Sequence, residues 1–440
     1  MAKDLTAPRP VARSVSEIES QLGKLWARAA VARAEAAKAE VALVAAQAEA
    51  AARAAASLAA AGETIDAAAH HVAARTSVLN LVVLAGDSRT AERCAATITA
   101  TASRHASRSL ILSAQDTGGA AGIEARIEAL SLTTADGRAE TGAETIYVTA
   151  RGETGNHLAS IIVPLLVHDL PVAMWMPNDP PFGTHRADRL LPIADRLIVD
   201  GSDWSGDGLD LLDKLAVVAE ERRLVVADWA LLRQSRWREA MASMYDLPDL
   251  RPHLGAVRRI DVDYAAAAPG DPGWTTNVVR PLYHVAWLAS RLGMTVVAPL
   301  SRAERGRRLA TLRQRDHAVE VVLRPVSSDL GPGSTARVEI TSRLRGAELI
   351  GRVAADDRTV NVSVYDDGRE RIRRSYAAPR LSDVDLLARA VEEGASDPVA
   401  VGALAMAHRL LGVDSGSHKA GSNGQARQNA GRPLEDRGNG

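Results

Sequence analysis

Apolar positions along this chain follow two different rhythms. From Val78 onward, short apolar runs bounded by turn residues alternate with helix-length stretches. Val78–Leu84, Ser109–Ser113, Ile123–Leu132, Thr145–Ala150, Val172–Met176, Arg196–Val199 and Leu224–Ala227 read as strands. Helices are predicted from Asp87 through Cys94 to about Ser103, and over Asn156–His168, Leu209–Glu221 and Leu231–Tyr245. Strands that are apolar throughout and separated by helices point to a mostly parallel sheet covered on both faces. The stretch Glu144–Asp200 shows the unit most clearly, and a right-handed crossover lays its helix on the sheet. The loop Pro177–Gly183 then leaves the carboxyl end of the Val172 strand, where such sheets usually carry their sites.

Prolines 248 and 252 mark a change of character. Val257–Tyr264 and Thr295–Pro299 are strands flanking a helix at Thr275–Leu292. His317–Val326, Ala336–Arg345, Leu349–Ala355 and Val360–Tyr365 then alternate with a period of two, and their short links suit antiparallel hairpins. Helices at Asp383–Glu393 and Pro398–Leu411 close this part.

The amino-terminal rhythm is different again. Ser14-Val-Ser-Glu17 has the spacing of a capping box, and the following Ala, Glu, Lys and Arg to about Ala61 are strong helix formers. The expected architecture is therefore an α/β domain with a mostly parallel sheet and helices on both faces, preceded by a long Ala-rich helix. An α+β domain with an antiparallel sheet follows. The expected boundaries are a loose lead-in at 1–13, the helical arm at 14–74, the α/β domain at 75–250, the α+β domain at 255–412, and a disordered tail at 413–440.

Composition narrows the chemistry. The 440 residues carry a net charge of -1, so nothing global selects nucleic acid or an acidic surface as partner. A single cysteine, Cys94, excludes an intrachain disulfide and a cysteine metal cluster. No unbroken apolar stretch has membrane-spanning length and no secretory h-region precedes Ser14, so a cytoplasmic protein is expected.

Candidate chemistry is sparse. Gly86-Asp-Ser-Arg-Thr90 occupies the place of a dinucleotide-binding loop but has one of its three glycines, so Asp87 and Ser88 read better as a helix N-cap. No histidine spacing suits a metal, and Ser301–Arg308 is a local basic run in a neutral protein. Trp229, Arg233 and Trp237 recur at steps of four, as interface anchors or core residues on one side of a helix do. No catalytic, cofactor-binding or metal-binding set emerges.

Several ordered motifs nevertheless carry a resemblance. Arg75-Thr-Ser-Val-Leu-Asn-Leu-Val-Val83, His105-Ala-Ser-Arg108, His157-Leu-Ala-Ser160, Asp169-Leu-Pro-Val172, Ala194-Asp-Arg-Leu-Ile-Val-Asp200, Asp228-Trp-Ala, Trp237-Arg-Glu239 and Trp287-Leu-Ala-Ser-Arg-Leu-Gly293 run in order through most of residues 75–365. In these the chain resembles the glucose-6-phosphate dehydrogenase assembly protein (OpcA) family. The resemblance implies a non-catalytic protein without cofactor that binds glucose-6-phosphate dehydrogenase and promotes its assembly or activation, supporting NADPH supply. It also supplies candidate partner-binding or structural residues: Arg75, Arg108, His157, Asp169, Trp175, Asp195 and Arg196, then Asp228, Trp229, Trp237 and Arg238. The rival reading is a sugar-phosphate or nucleotide site at the sheet's carboxyl edge, around Gly86, Arg151, His157 and Asn178.

Overall fold

The computed structural model describes residues 3–4, 12–24, 78–102, 104–115, 122–133, 140–152, 157–267, 276–356, 358–392 and 397–412. The predicted tail at 413–440 and most of the Ala-rich arm lie outside these residues, as does Arg75. What is described of the arm is helical over 15–24 (α1). Its start is held as the capping box implies: the Ser14 hydroxyl accepts from the Glu17 amide at 3.2 Å. The Glu17 carboxylate reaches back one residue further than expected, to the Arg13 amide at 2.9 Å.

The first sheet contains β1 (Lys3–Asp4), β2 (Leu79–Ala85), β3 (Ser107–Gln115), β4 (Gly122–Thr133), β5 (Glu140–Arg151), β6 (Val172–Met176), β7 (Arg196–Val199) and β8 (Val225–Asp228). Their order across the sheet is β1-β4-β5-β3-β2-β6-β7-β8. The six strands from β5 to β8 are parallel, and β4 and β1 add antiparallel strands at one edge. Every residue of β6 is buried, the pattern that an apolar run flanked by helices predicts.

Helices α2 (Ser88–Thr101), α3 (Leu158–Leu165), α4 (His185–Leu190) and α5 (Leu209–Arg222) supply the crossovers. Helix α2 is capped as expected, with the Asp87 carboxylate accepting from the Thr90 amide at 2.8 Å. Cys94 is fully buried within it, and burial pushes its thiol up to about 12, so it stays protonated near neutrality.

The second sheet has eight strands: β9 (Val257–Ala265), β10 (Thr295–Arg302), β11 (Arg308–Gln314), β12 (His317–Val326), β13 (Thr335–Leu344), β14 (Ala347–Ala355), β15 (Thr359–Asp366) and β16 (Arg369–Ala377). The order is β10-β11-β12-β9-β13-β14-β15-β16. All neighbours are antiparallel except β9 and β12, which run parallel. Two of these strands lie outside the elements that the sequence pattern predicts. Both β11 and β16 are rich in Arg, and a charged alternation whose apolar half is thin looks like a loop until pairing partners are known.

Helix α8 (Val279–Arg291) joins the two sheets. Nine of its thirteen residues are buried, far more than one amphipathic face requires, because it packs on β9, β12 and β13 and also on α10 (Pro398–Leu411). Gly293, at φ 63, ends it in the left-handed region. Helix α9 (Asp383–Glu392) leaves the second sheet and returns to the first, where it packs on α2. One apolar cluster consequently runs from Leu110 and Met174 through Leu212 and Leu282 to Val321 and Val362.

One polar side chain inside this frame stands out energetically. Asn80 is fully buried; its amide donates to the Val167 and Leu170 carbonyls at 2.9 and 3.2 Å, and its oxygen accepts from the Val167 amide at 2.9 Å. It thereby fastens the turn through Asp169 (φ 66) that delivers the chain into β6. Asn80→Ala should lower unfolding free energy by about 3 kcal/mol, because three half-buried backbone groups lose their partner. Urea unfolding of the two proteins checks this, and a change under about 0.5 kcal/mol would contradict it.

Candidate functional site

The carboxyl edge of the first sheet is the first place to look, because strand order reverses there between β2 and β6. That crevice is closed by the chain itself. The Asn178 side chain accepts from the Gly86 amide at 2.9 Å, and a Cβ on Gly86 would stand 3.2 Å from the same oxygen. Arg151 turns away to Glu124 on β4 at 2.9 Å, and His157 is exposed at the start of α3 without a side-chain capping bond. The four residues of the nucleotide or sugar-phosphate reading therefore do not converge.

Further along the same edge, the ends of β7 and β8 carry Asp200 and Asp228. Asp228 is fully buried and accepts three hydrogen bonds: from the Gly201 amide at 2.9 Å, the Ala230 amide at 2.8 Å and the Tyr283 hydroxyl at 2.8 Å. The first two fix the loop after β7 and the start of α6 (Trp229–Leu232); the third comes from α8 and ties the second half of the molecule to the first. Gly201 is required by closeness, since a Cβ there would stand 2.8 Å from the Asp228 carboxylate. Burial pushes Asp228 up to about 6, its three donors and the nearby Asp200 charge being smaller influences. Asp200 in turn receives Arg233 at 2.7 Å. Asn277 donates across the joint to the Gly201 and Trp204 carbonyls at 2.9 and 3.1 Å.

Most of the candidate residues make contacts within the fold. Trp175 and Trp229 are buried and pack ring on ring, 5.1 Å between centroids, beneath α2 and α9. Arg108 holds the fully buried Glu144 carboxylate at 2.8 Å and donates to the Leu165 carbonyl, joining β3, β5 and the end of α3. The Asp195 carboxylate accepts from the Val172 amide, Arg196 donates to the Ala390 carbonyl of α9, and Arg238 to the Leu231 carbonyl. The single helix predicted over Leu231–Tyr245 is instead broken at Arg233–Gln234 into α6 and α7 (Ser235–Ser243). Asp228 caps the first piece and Asp200 draws Arg233 aside. Trp229 and Trp237 thus do not share a face; Trp237 packs instead against His284 in a tilted contact, 5.0 Å between ring centres. In the basic run Ser301–Arg308, Arg308 is 9% exposed and pairs with Asp207 at 2.7 Å, so the run ends in a strand and not in solvent.

The surface that remains is one that sequence alone does not reveal. Helices α7, α8 and α10 pack on the second sheet, whose inward residues include Val338, Leu349, Val353, Val362 and Val364. The outward residues alternating with them, such as Thr341, Ile350, Arg352, Ser363 and Tyr365, are partly exposed, and no helix covers them among the described residues. Across this face runs a ladder of charges. Arg259 bridges Glu320 at 2.7 Å and Asp261 at 2.6 Å; Arg324 bridges Asp261 and Asp263 at 2.9 and 3.3 Å; Arg337 holds Asp263 at 2.6 Å; and Arg352 holds Glu339 at 2.7 Å. Beside it, Ile350 and Tyr365 stand directly opposite each other on β14 and β15. Eight strands about 4.8 Å apart, each about nine residues long, give a face on the order of 1,000 Å². That matches the area one partner contributes to a stable protein interface. Elsewhere, a groove of about 930 Å³ lies against α5, α10 and β10, with Val297 and Val401 exposed at 56% and 58%.

Residues 98–216 match the family model described as "Glucose-6-phosphate dehydrogenase subunit N-terminal domain", and residues 225–401 match its C-terminal counterpart. Over 154 residues the chain is 29% identical to a protein from Synechocystis sp. (strain ATCC 27184 / PCC 6803 / Kazusa) that carries the name OxPP cycle protein OpcA. That alignment spans 34% of this chain and 30% of the Synechocystis protein, about a third of each. Among solved structures, a chain named as the oxidoreductase YvaA from Bacillus subtilis aligns with 76% of this chain and 96% of its own length at 10% identity and a TM-score of 0.39. A probable dehydrogenase from Thermotoga maritima aligns with 74% of this chain and 94% of its own at 11% identity and a TM-score of 0.33. These likenesses are too slight to carry any argument.

The Asp228 joint makes a measurable claim. A carboxyl whose folded value lies near 6, above its ordinary 3.8, favours the folded chain below about pH 4, and that contribution is lost as pH rises through about 6. Asparagine keeps the shape, accepts from the two amides and donates to the Tyr283 oxygen. The stability of Asp228→Asn relative to the unaltered chain should therefore rise by roughly 3 kcal/mol between about pH 4 and pH 7. Paired chemical denaturation across that range checks this, and a flat difference would refute it.

Proposed function

Because the chain belongs to the glucose-6-phosphate dehydrogenase assembly protein (OpcA) family, we propose that it is a non-catalytic partner of glucose-6-phosphate dehydrogenase. In this role it supports the oxidative pentose phosphate pathway and NADPH supply. The observation that carries this reading is the match of both family domains, in order, along residues 98–401. Binding that merely tethers the enzyme would leave its activity unchanged. To activate it, this chain must bind the active form of the dehydrogenase more tightly than the inactive one.

The face assigned to the dehydrogenase is the open side of the second sheet. Its area is sufficient, its arginines are already held in place by carboxylates, and little side-chain freedom is left to lose on docking. Arg and Tyr are also the residue types that dominate interface energetics, and Ile350 with Tyr365 supplies an apolar centre beside the ladder.

Titration calorimetry with the purified dehydrogenase from the same organism tests both parts. The unaltered chain should form a complex and lower the enzyme's apparent KM. Tyr365→Ala and Ile350→Glu should each weaken binding by on the order of thirtyfold, as loss of an interface anchor does. Val401→Asp, on the groove beside α10, should leave binding unchanged. No complex with the unaltered chain at micromolar concentrations would defeat the partnership itself. Weakening by Val401→Asp alone would keep the partnership and overturn the docking face.

A further inference from the structure

A cavity of about 470 Å³ lies where α7 and α8 meet the loops at one end of the second sheet, with α9 closing it from the side of the first. None of the residues named above for the open face or for the crevice at Gly86 lines it. Five arginines line it, against two aspartates, Asp203 and Asp356. Two of these arginines are only loosely held. Among the described residues Arg280 bridges no carboxylate, although Asp200, Asp203 and Asp228 lie near enough to favour its charge; it donates to the Ser334 and Ser202 hydroxyls at 3.2 Å each, and its Nε is buried without a hydrogen-bond partner there. Arg389 makes a single 3.4 Å contact with the Ser235 hydroxyl. Burying a guanidinium without a contacting acid is unfavourable, and burial lowers the pKa of Arg280 accordingly.

His284 provides an independent pointer. It lines the same cavity, is 1% exposed, and among the described residues neither ring nitrogen has a hydrogen-bond partner. Buried polar side chains are nearly always satisfied, so two orphan nitrogens at a cavity wall mark a place where a ligand belongs. Burial, with Arg238 and Arg280 nearby, pushes this imidazole down to about 3. It is therefore neutral at physiological pH and offers one donor and one acceptor, a match for a hydroxyl group. Trp237, tilted against it with ring centres 5.0 Å apart, adds an apolar side chain to the lining.

We propose that this cavity binds a small phosphate monoester with a hydroxylated carbon body, its phosphate held by Arg280 and Arg389 and a hydroxyl by His284. Guanidinium groups favour phosphate through charge-assisted, forked hydrogen bonds, and the volume suits a ligand of that size. The cavity contacts both halves of the molecule, so an occupant would also bridge α8 and α9.

Calorimetry and thermal unfolding of the full chain, without any dehydrogenase, test this separately from the docking reading. The probes are glucose 6-phosphate, inorganic phosphate and glucose. Glucose 6-phosphate should bind saturably and raise Tm, inorganic phosphate should bind more weakly, and glucose should do neither. Arg280→Gln should weaken glucose 6-phosphate binding by on the order of tenfold, the loss expected for one charge-assisted hydrogen bond. Arg389→Gln, which removes only one long contact from the fold, should do the same and decides the matter if Arg280→Gln does not fold. Absence of saturable binding by both phosphates, or binding undiminished in the folded variants, would overturn the proposal.

Discussion

A single buried carboxylate fixes how the two sheets meet. Asp228 ends β8, organises the loop after β7 through the Gly201 amide, starts α6 through the Ala230 amide and receives the Tyr283 hydroxyl from α8. Three donors on one carboxylate offset part of the desolvation it suffers in such a site. Because Gly201 has no side chain, this cluster closes to contact distance, and Asn277 repeats the link from the same side. The joint consumes the carboxyl ends of β7 and β8, where sheets of this type usually offer their catalytic groups. The chain has turned that edge into a connection between its halves.

The same logic explains why the first sheet is covered and the second open. Parallel strands joined by crossovers bring their own helices to both faces, and here α9 returns from the far end of the chain to complete the cover beside α2. Antiparallel strands joined by short turns bring none. Their second face must be compatible with water, and the Arg–Asp–Glu ladder makes it so. Exposed ion pairs contribute little to stability individually. Their effect here is order: Arg259 and Arg324 each sit between two carboxylates, Arg337 and Arg352 are held by Asp263 and Glu339, and together they present a fixed pattern of charge around Ile350 and Tyr365. A face of this kind is suited to recognising another folded surface.

Much of this was legible along the chain. Apolar runs of strand length separated by helix-length segments determined a parallel sheet, and period-two alternation after Pro252 determined an antiparallel one, because burial dictates those patterns locally. Asp87 as a cap and Cys94 as a buried thiol followed from their neighbours alone. The order of family motifs was likewise a property of sequence. Spatial placement was not. That Trp229 and Trp237 part company depends on Asp200 drawing Arg233 aside, a contact across 33 positions. That β11 and β16 are strands depends on partners whose backbone groups they satisfy, since their own arginines give no apolar rhythm. That Asp228, Tyr283 and Arg280 meet, and that His284 faces a cavity without a partner, depends on how α8 is wedged between two sheets. Local periodicity records which side of each element is dry; only packing decides which elements share that dryness and which polar groups are left facing one another.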